Sequence, residues 1–127
     1  MKINLTPEES ETYFHNSLCN GHHIAYYGLQ IDYCETEYQE AAQRLRDAGQ
    51  SPCLEDVWME ILKGGGTLTL IDEEEGEAPS AIKLSDVHER VQNTPTYHLM
   101  NAINEHDDGD TADVILQTVF YGDVIFG

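Results

Sequence analysis

The sequence predicts a single α+β domain, mostly helical, with five or six helices and one β-hairpin over about residues 67–84. Three observations carry that expectation. Apolar residues recur at i, i+3, i+4 and i+7 in several separate runs, which marks one face of a helix. Between Thr67 and Leu84 the period changes: Thr67-Leu68-Thr69-Leu70-Ile71 and Ser80-Ala81-Ile82-Lys83-Leu84 read as two strands around an acidic tip. The runs are separated by Pro, Gly and capping residues, with no internal repeat or linker. At 127 residues the chain is one domain, 1–127, long enough to bury a core without disulfides or metal.

Thr6-Pro7-Glu8-Glu9 opens the first helix: Thr6 can cap, Pro7 suits the first helical position, and Glu9 completes a capping box. Asn20-Gly21 is a left-handed-compatible stop. Ile24–Ile31, with its aromatic and β-branched residues and Gly28 as a bulge, reads as a third strand, with a helix as the alternative. Asp32 or Thr36 starts a helix whose face is Tyr38, Ala41, Ala42 and Leu45, ended by Gly49. Ser51-Pro52 repeats the Thr6-Pro7 device, and Leu54, Val57, Trp58, Ile61 and Leu62 form an unbroken stripe with Trp58 expected at the centre of the core. Gly64–Gly66 turns the chain into the hairpin. Ser85 is expected to cap the next helix, through Val87 and Val91, and Thr94-Pro95 to start another through Leu99, Met100 and Ile103. Asp110 and Asp113 are expected to cap a last helix through Ile115, Leu116, Val119 and Phe120.

Charge is the strongest global signal. Against 24 Asp and Glu stand 6 Lys and Arg, a formal net charge of −18. Such a surface repels phosphate, so neither a basic nucleic-acid-binding face nor an anionic membrane surface is expected. Cations, basic proteins and DNA-binding proteins are the partners it suits; acidity alone also keeps a small protein soluble. Cys19, Cys34 and Cys53 are odd in number and never spaced as C-x-x-C, which predicts buried free thiols in a reducing compartment, hence the cytoplasm. No secretory leader and no run long enough to span a bilayer is legible.

Catalytic motifs are absent from the pattern. No Ser lies in G-x-S-x-G, no Cys has enzyme-like flanks, and the glycine triplet lacks the GK[ST] of a phosphate loop. Asp107, Asp108, Asp110 and Asp113 miss the calcium-loop register. The six histidines lack zinc spacing; His15, His22 and His23 with a carboxylate would be the alternative, a metal-dependent enzyme or ion-binding module. What remains is the acidic tip, Asp72, Glu73, Glu74, Glu75 and Glu77, which gains meaning if the acids at 8, 9, 11, 32, 35, 37, 40, 55, 56 and 60 extend it into rows. Carboxylates on rigid helices can imitate duplex phosphates, as small acidic inhibitors of restriction or CRISPR machinery do as a class. The expectation is therefore a non-enzymatic acidic interaction protein with no cofactor and a basic protein partner, able to self-associate through its apolar C-terminus.

The ending Asp110-Thr-Ala-Asp-Val-Ile-Leu-Gln-Thr-Val-Phe-Tyr-Gly-Asp-Val-Ile-Phe-Gly127 resembles the C-termini of small uncharacterised proteins from bacterial mobile elements and phages. The resemblance covers these residues alone and implies no activity and no functional residue.

Overall fold

The computed structural model describes residues 3–21, 29–72, 80–106 and 108–122. Within them lie six α-helices and a three-stranded antiparallel sheet, an α+β and mostly helical architecture. In chain order they are α1 (Pro7–Asn20), β1 (Leu29–Tyr33), α2 (Glu35–Asp47), α3 (Leu54–Lys63), β2 (Leu68–Asp72), β3 (Ser80–Ile82), α4 (Leu84–Arg90), α5 (Thr96–Ile103) and α6 (Gly109–Tyr121). A 3₁₀ turn at Val91–Asn93 joins α4 to α5.

The hairpin forms as its alternation predicts, Leu68 pairing with Ile82 and Leu70 with Ser80. The third strand is present as β1, ending two residues beyond the expected Ile31, so β2 becomes the middle strand with Leu68 opposite Tyr33 on its other side. Asp32, one candidate helix start, lies inside that strand. The portion of the expected strand at 24–28, including the Gly28 bulge, lies outside the described residues. Leu29, Ile31, Leu68, Leu70 and Ile82 are all buried, which at a period of two places them on the sheet face turned toward the helices.

Helix starts follow local electrostatics more than the Ser/Thr-Pro pairs suggest. At α1 the capping box is complete: the Glu9 amide donates to Thr6 Oγ1 (3.1 Å) and the Thr6 amide to Glu9 Oε1 (2.9 Å). At α3 the cap is Cys53 rather than Ser51, because Asp56 reaches back to accept from the Cys53 amide (3.3 Å). At α4 it is Lys83 rather than Ser85, with Asp86 accepting from the Lys83 amide (2.9 Å). At α6 it is Asp108, accepting from the Thr111 amide (2.9 Å), while Asp113 lies one turn inside the helix, buried.

The core lies between α6, α1 and the sheet. Val57, Ile61 and Leu62 of α3 are buried as their stripe predicts, but Leu54 at its start is exposed and Trp58 is only half-buried and packs at the rim. It leans on Tyr33 (ring centroids 6.4 Å), which stacks on Tyr38 (4.9 Å), and its Nε1 has no hydrogen-bond partner. The ring is thus partly exposed while its N–H is buried and unanswered, an unfavourable arrangement that the rim does not relieve. The centre belongs instead to Phe14 of α1 against Phe120 of α6 (6.1 Å). Gly21 does not end α1 in a left-handed conformation: its φ is −82°. Its lack of a side chain serves packing, since a Cβ there would meet Leu116 Cδ1 at 2.4 Å and the Ser17 carbonyl at 2.7 Å.

Leu62→Ala is expected to lose about 2–5 kcal/mol, the usual cost of a buried leucine truncated to a cavity. Trp58→Phe should lose less than Leu62→Ala despite removing the larger ring system, because it also removes an unpaired buried N–H. Urea unfolding followed by far-UV circular dichroism ranks the two; the reverse order would restore Trp58 to the centre.

Candidate functional site

Asp56 in the first turn of α3 and the outward edge of α1 meet across a groove of about 520 Å³ that Leu45 near the end of α2 also lines. Glu8, Glu11 and His15 reach it from α1, spaced three and four apart on one helix face. Asp56, Glu60 and Lys63 reach it from α3 at the same spacing, with Leu45 and Met59 supplying apolar floor. Four carboxylates therefore face one lysine.

Contacts at the groove are hydrogen bonds and ion pairs between carboxylates and nitrogen-bearing side chains. His15 Nε2 lies 2.9 Å from Asp56 Oδ1, a tie between α1 and α3. Glu11 forks: Oε2 is 2.8 Å from His88 Nε2 of α4 and Oε1 is 3.9 Å from Lys63 Nζ. Arg44 of α2 donates to Glu60 Oε1 at 3.0 Å. Three of the four groove carboxylates, Glu11, Asp56 and Glu60, thus have partners within the chain, and Glu8 is exposed beyond them. Burial works to raise the Asp56 carboxyl, but hydrogen bonds from the Cys53 amide and thiol and the His15 ring outweigh it and hold the group below its ordinary value.

The positions singled out from sequence are only partly brought together. Asp72 closes β2; Glu73, Glu74, Glu75 and Glu77 lie outside the described residues, as do His22 and His23 of the metal alternative. His15 is placed on Asp56, and among the described residues no group of three or more His, Cys, Asp or Glu is arranged to hold a metal ion. Of the acids expected to form rows, Glu8, Glu11, Asp56 and Glu60 do converge, whereas Glu37 turns to the Thr67 amide (3.5 Å). The His15–Asp56 and Glu11–His88 pairs join positions 41 and 77 residues apart, separations at which no local pattern signals contact.

The thiols are less buried than expected. Cys19 is half-buried, and Cys34 and Cys53 are exposed because they occupy the positions just before α2 and α3. Burial, then Glu55, Cys53 and Asp56, push the Cys19 thiol up. At Cys53 the Asp56 amide favours the thiolate, but burial and the Glu55 and Asp56 carboxylates together push that thiol up too. Neither has the electropositive setting of a nucleophile. No helix among the described residues is long and apolar enough to cross a membrane.

No family model, curated protein or solved structure matches this chain. Its groove is therefore read from its own chemistry.

Two consequences are measurable. A carboxyl whose folded value is depressed contributes its full stability above the ordinary unfolded value, 3.8 for Asp56, and loses it as pH falls through the lower folded value. Asp108, held down chiefly by the Thr111 amide, behaves likewise. The combined Asp56→Asn, Asp108→Asn variant should therefore lose stability less steeply than the parent as pH drops below about 4; parallel acid limbs in urea titrations would refute this. Alkylation of Cys19 and Cys53 by iodoacetamide at pH 7 should be slower than that of free cysteine and rise as pH passes the ordinary thiol value. Mass spectrometry reads each site, and fast neutral-pH labelling would contradict the raised thiols.

Proposed function

We propose that this protein is a non-enzymatic interaction protein, a regulator or inhibitor presenting an acidic, phosphate-like face to the basic groove of a nucleic-acid-binding protein. The observation that carries this reading is the convergence of Glu8, Glu11, Asp56 and Glu60 on one groove, where Glu8 is exposed and the other three are shared with Lys63, His88, His15 and Arg44, within a chain of net charge −18. Helices hold these groups, so their spacing is set before a partner arrives, and less ordering entropy opposes binding. Asp72, Glu73, Glu74, Glu75 and Glu77 add five acids within six successive positions. A net charge of −18 speaks for steering toward a basic protein and against direct contact with nucleic acid.

The likeness of residues 110–127 to C-termini from mobile elements and phages is compatible with a role against host nucleic-acid machinery. In that role the protein would compete with duplex DNA for the same lysines and arginines. Binding would then be governed by the same salt-dependent electrostatics that govern the DNA complex.

Competition is the test. A basic-groove DNA-binding protein from the native cell, loaded with fluorescent duplex DNA, should release the duplex when this protein is added at about 50 mM salt. The effect should weaken by orders of magnitude by about 200 mM. Neutralising Glu8 and Glu73–Glu75 to Gln should weaken displacement by about tenfold or more without unfolding the chain, several lost charge contacts each contributing a few tenths to one kcal/mol. A complex indifferent to salt, or equally tight after neutralisation, would sink the proposal.

A further inference from the structure

Strand β1 and helix α3 each carry a row of apolar side chains that the core only partly covers. Leu29, Ile31 and Tyr33 alternate along β1, so at a period of two they share the sheet face turned toward the helices. That row runs from buried Leu29 and Ile31 out to half-buried Tyr33. On α3, Leu54 and Trp58 are four residues apart and lie on one helix face. A cavity of about 390 Å³ lies between the two rows, with Tyr33, Leu54 and Trp58 lining its rim and buried Leu18, Leu29 and Leu116 lining it further in. That volume is in the range of small-molecule sites. The cavity shares no lining residue with the acidic groove between α1 and α3.

Two independent properties of the cavity set the charge of a ligand. The first is aromatic. The Tyr33 and Trp58 ring centroids are 6.4 Å apart and their planes are inclined at 54°. A single point can therefore lie within about 6 Å of both centroids, the range over which a ring face attracts a cation. Tyr38 stacks on Tyr33 at 4.9 Å and holds that ring in place. Trp58 Nε1 is sealed, so the indole offers a ligand its π surface and not its N–H. The second property is electrostatic. Among the described lining residues Glu55 alone carries a charge. Burial, then Glu35, Tyr38 and Asp32, push the Tyr33 hydroxyl up, so carboxylates bear on this ring from both β1 and α2. Glu55 and Asp56 in the first turn of α3 offset the positive pole of that helix, which would otherwise oppose a cation.

We propose that this cavity binds a quaternary ammonium on an apolar chain, its head against the Tyr33 and Trp58 rings beside Glu55 and its chain on Leu18, Leu29 and Leu116. An anion is opposed by Glu55 and by a net charge of −18. A neutral molecule forgoes the attraction of the ring faces. A primary ammonium would bring three N–H donors to a lining that is mainly aliphatic and aromatic, and a donor taken from water without an acceptor is costly. A quaternary head has no N–H to satisfy and keeps its charge for the rings and Glu55. Because the two sites share no residue, this one stands or falls apart from the acidic face.

Trp58 is the one tryptophan of the chain, so its fluorescence reports on this cavity directly. The full chain is titrated at constant ionic strength with hexyltrimethylammonium, a free cation, and with N-acetyl-trimethyl-lysine amide, which stands for a protein side chain. A saturable change in emission is expected, and the tighter probe identifies the source of the ammonium. Hexylammonium should bind more weakly than hexyltrimethylammonium, and 3,3-dimethylbutan-1-ol at least about fivefold more weakly than choline, its charged isostere, the order of one cation–π contact. Tyr33→Leu should weaken hexyltrimethylammonium by about the same factor, and Glu55→Gln, which keeps the side chain's size, by about threefold. Far-UV circular dichroism checks that each variant folds; if Tyr33→Leu does not, Glu55→Gln and the isostere pair decide. The proposal is overturned by an unsaturable response, by the neutral isostere matching choline, by hexylammonium matching hexyltrimethylammonium, or by undiminished binding to a folded Tyr33→Leu or to Glu55→Gln.

Discussion

Everything in this fold depends on burying α6 nearly all the way round. Nine of its 13 residues are buried, and it packs against α1, α4, α5 and β3. A helix so placed cannot leave polar atoms unanswered, and this one meets most of its needs locally. Thr118 Oγ1 donates to the Val114 carbonyl (2.7 Å), Gln117 Nε2 to Asp113 Oδ2 (2.9 Å), and Thr111 Oγ1 lies 3.0 Å from His98 Nδ1. At its C-terminal end Arg90 reaches over from α4 to donate to the Val119 carbonyl at 2.8 Å, a cation at the negative pole of the helix. With those partners in place Ile115, Leu116, Val119 and Phe120 can act as the apolar surface on which the other helices assemble.

The acidity of the chain has two physical roles that composition alone merges. One is local: Glu9, Asp56, Asp86 and Asp108 satisfy amides at four helix starts, so these carboxylates would be in place whatever the protein binds. The other is collective, in the groove shared by α1 and α3, where helix geometry aligns acids at three- and four-residue spacing. Asp56 belongs to both. It caps α3 and at the same time pairs with His15, which links the start of one helix to the middle of another.

Fold class and element order were legible because periodicity and strand alternation are local properties. The stripe Val57, Ile61, Leu62 and the alternation Leu68, Leu70 are buried as read. Depth was less legible. Trp58 is the largest side chain in its helix, but size does not decide distance from the centre; it packs at the rim against Tyr33, which stacks on Tyr38. Helix starts were displaced by two residues where a carboxylate reaching backward outcompeted a Ser hydroxyl, as at Asp56 and Asp86. Gly21 shows the same limit: its position after Asn20 suggests a turn, while its actual constraint is a leucine 95 residues away in the sequence. The candidate groove was legible as an excess of acid and illegible as a place, because His15, Asp56, Glu11 and His88 meet only through tertiary packing.

The pairing of α1 with α6 also fixes an order of events during synthesis. These are the first and last of the described helices, and the contact between them joins Phe14 to Phe120. Phe14, Leu18 and the inner face of the sheet have no final cover until the region after residue 109 has left the ribosome. A chain stalled before that point would carry an exposed apolar face, the kind of surface that recruits chaperones or draws chains together. The hairpin of β2 and β3 can form early from near neighbours, whereas closure of the core must wait for the whole domain.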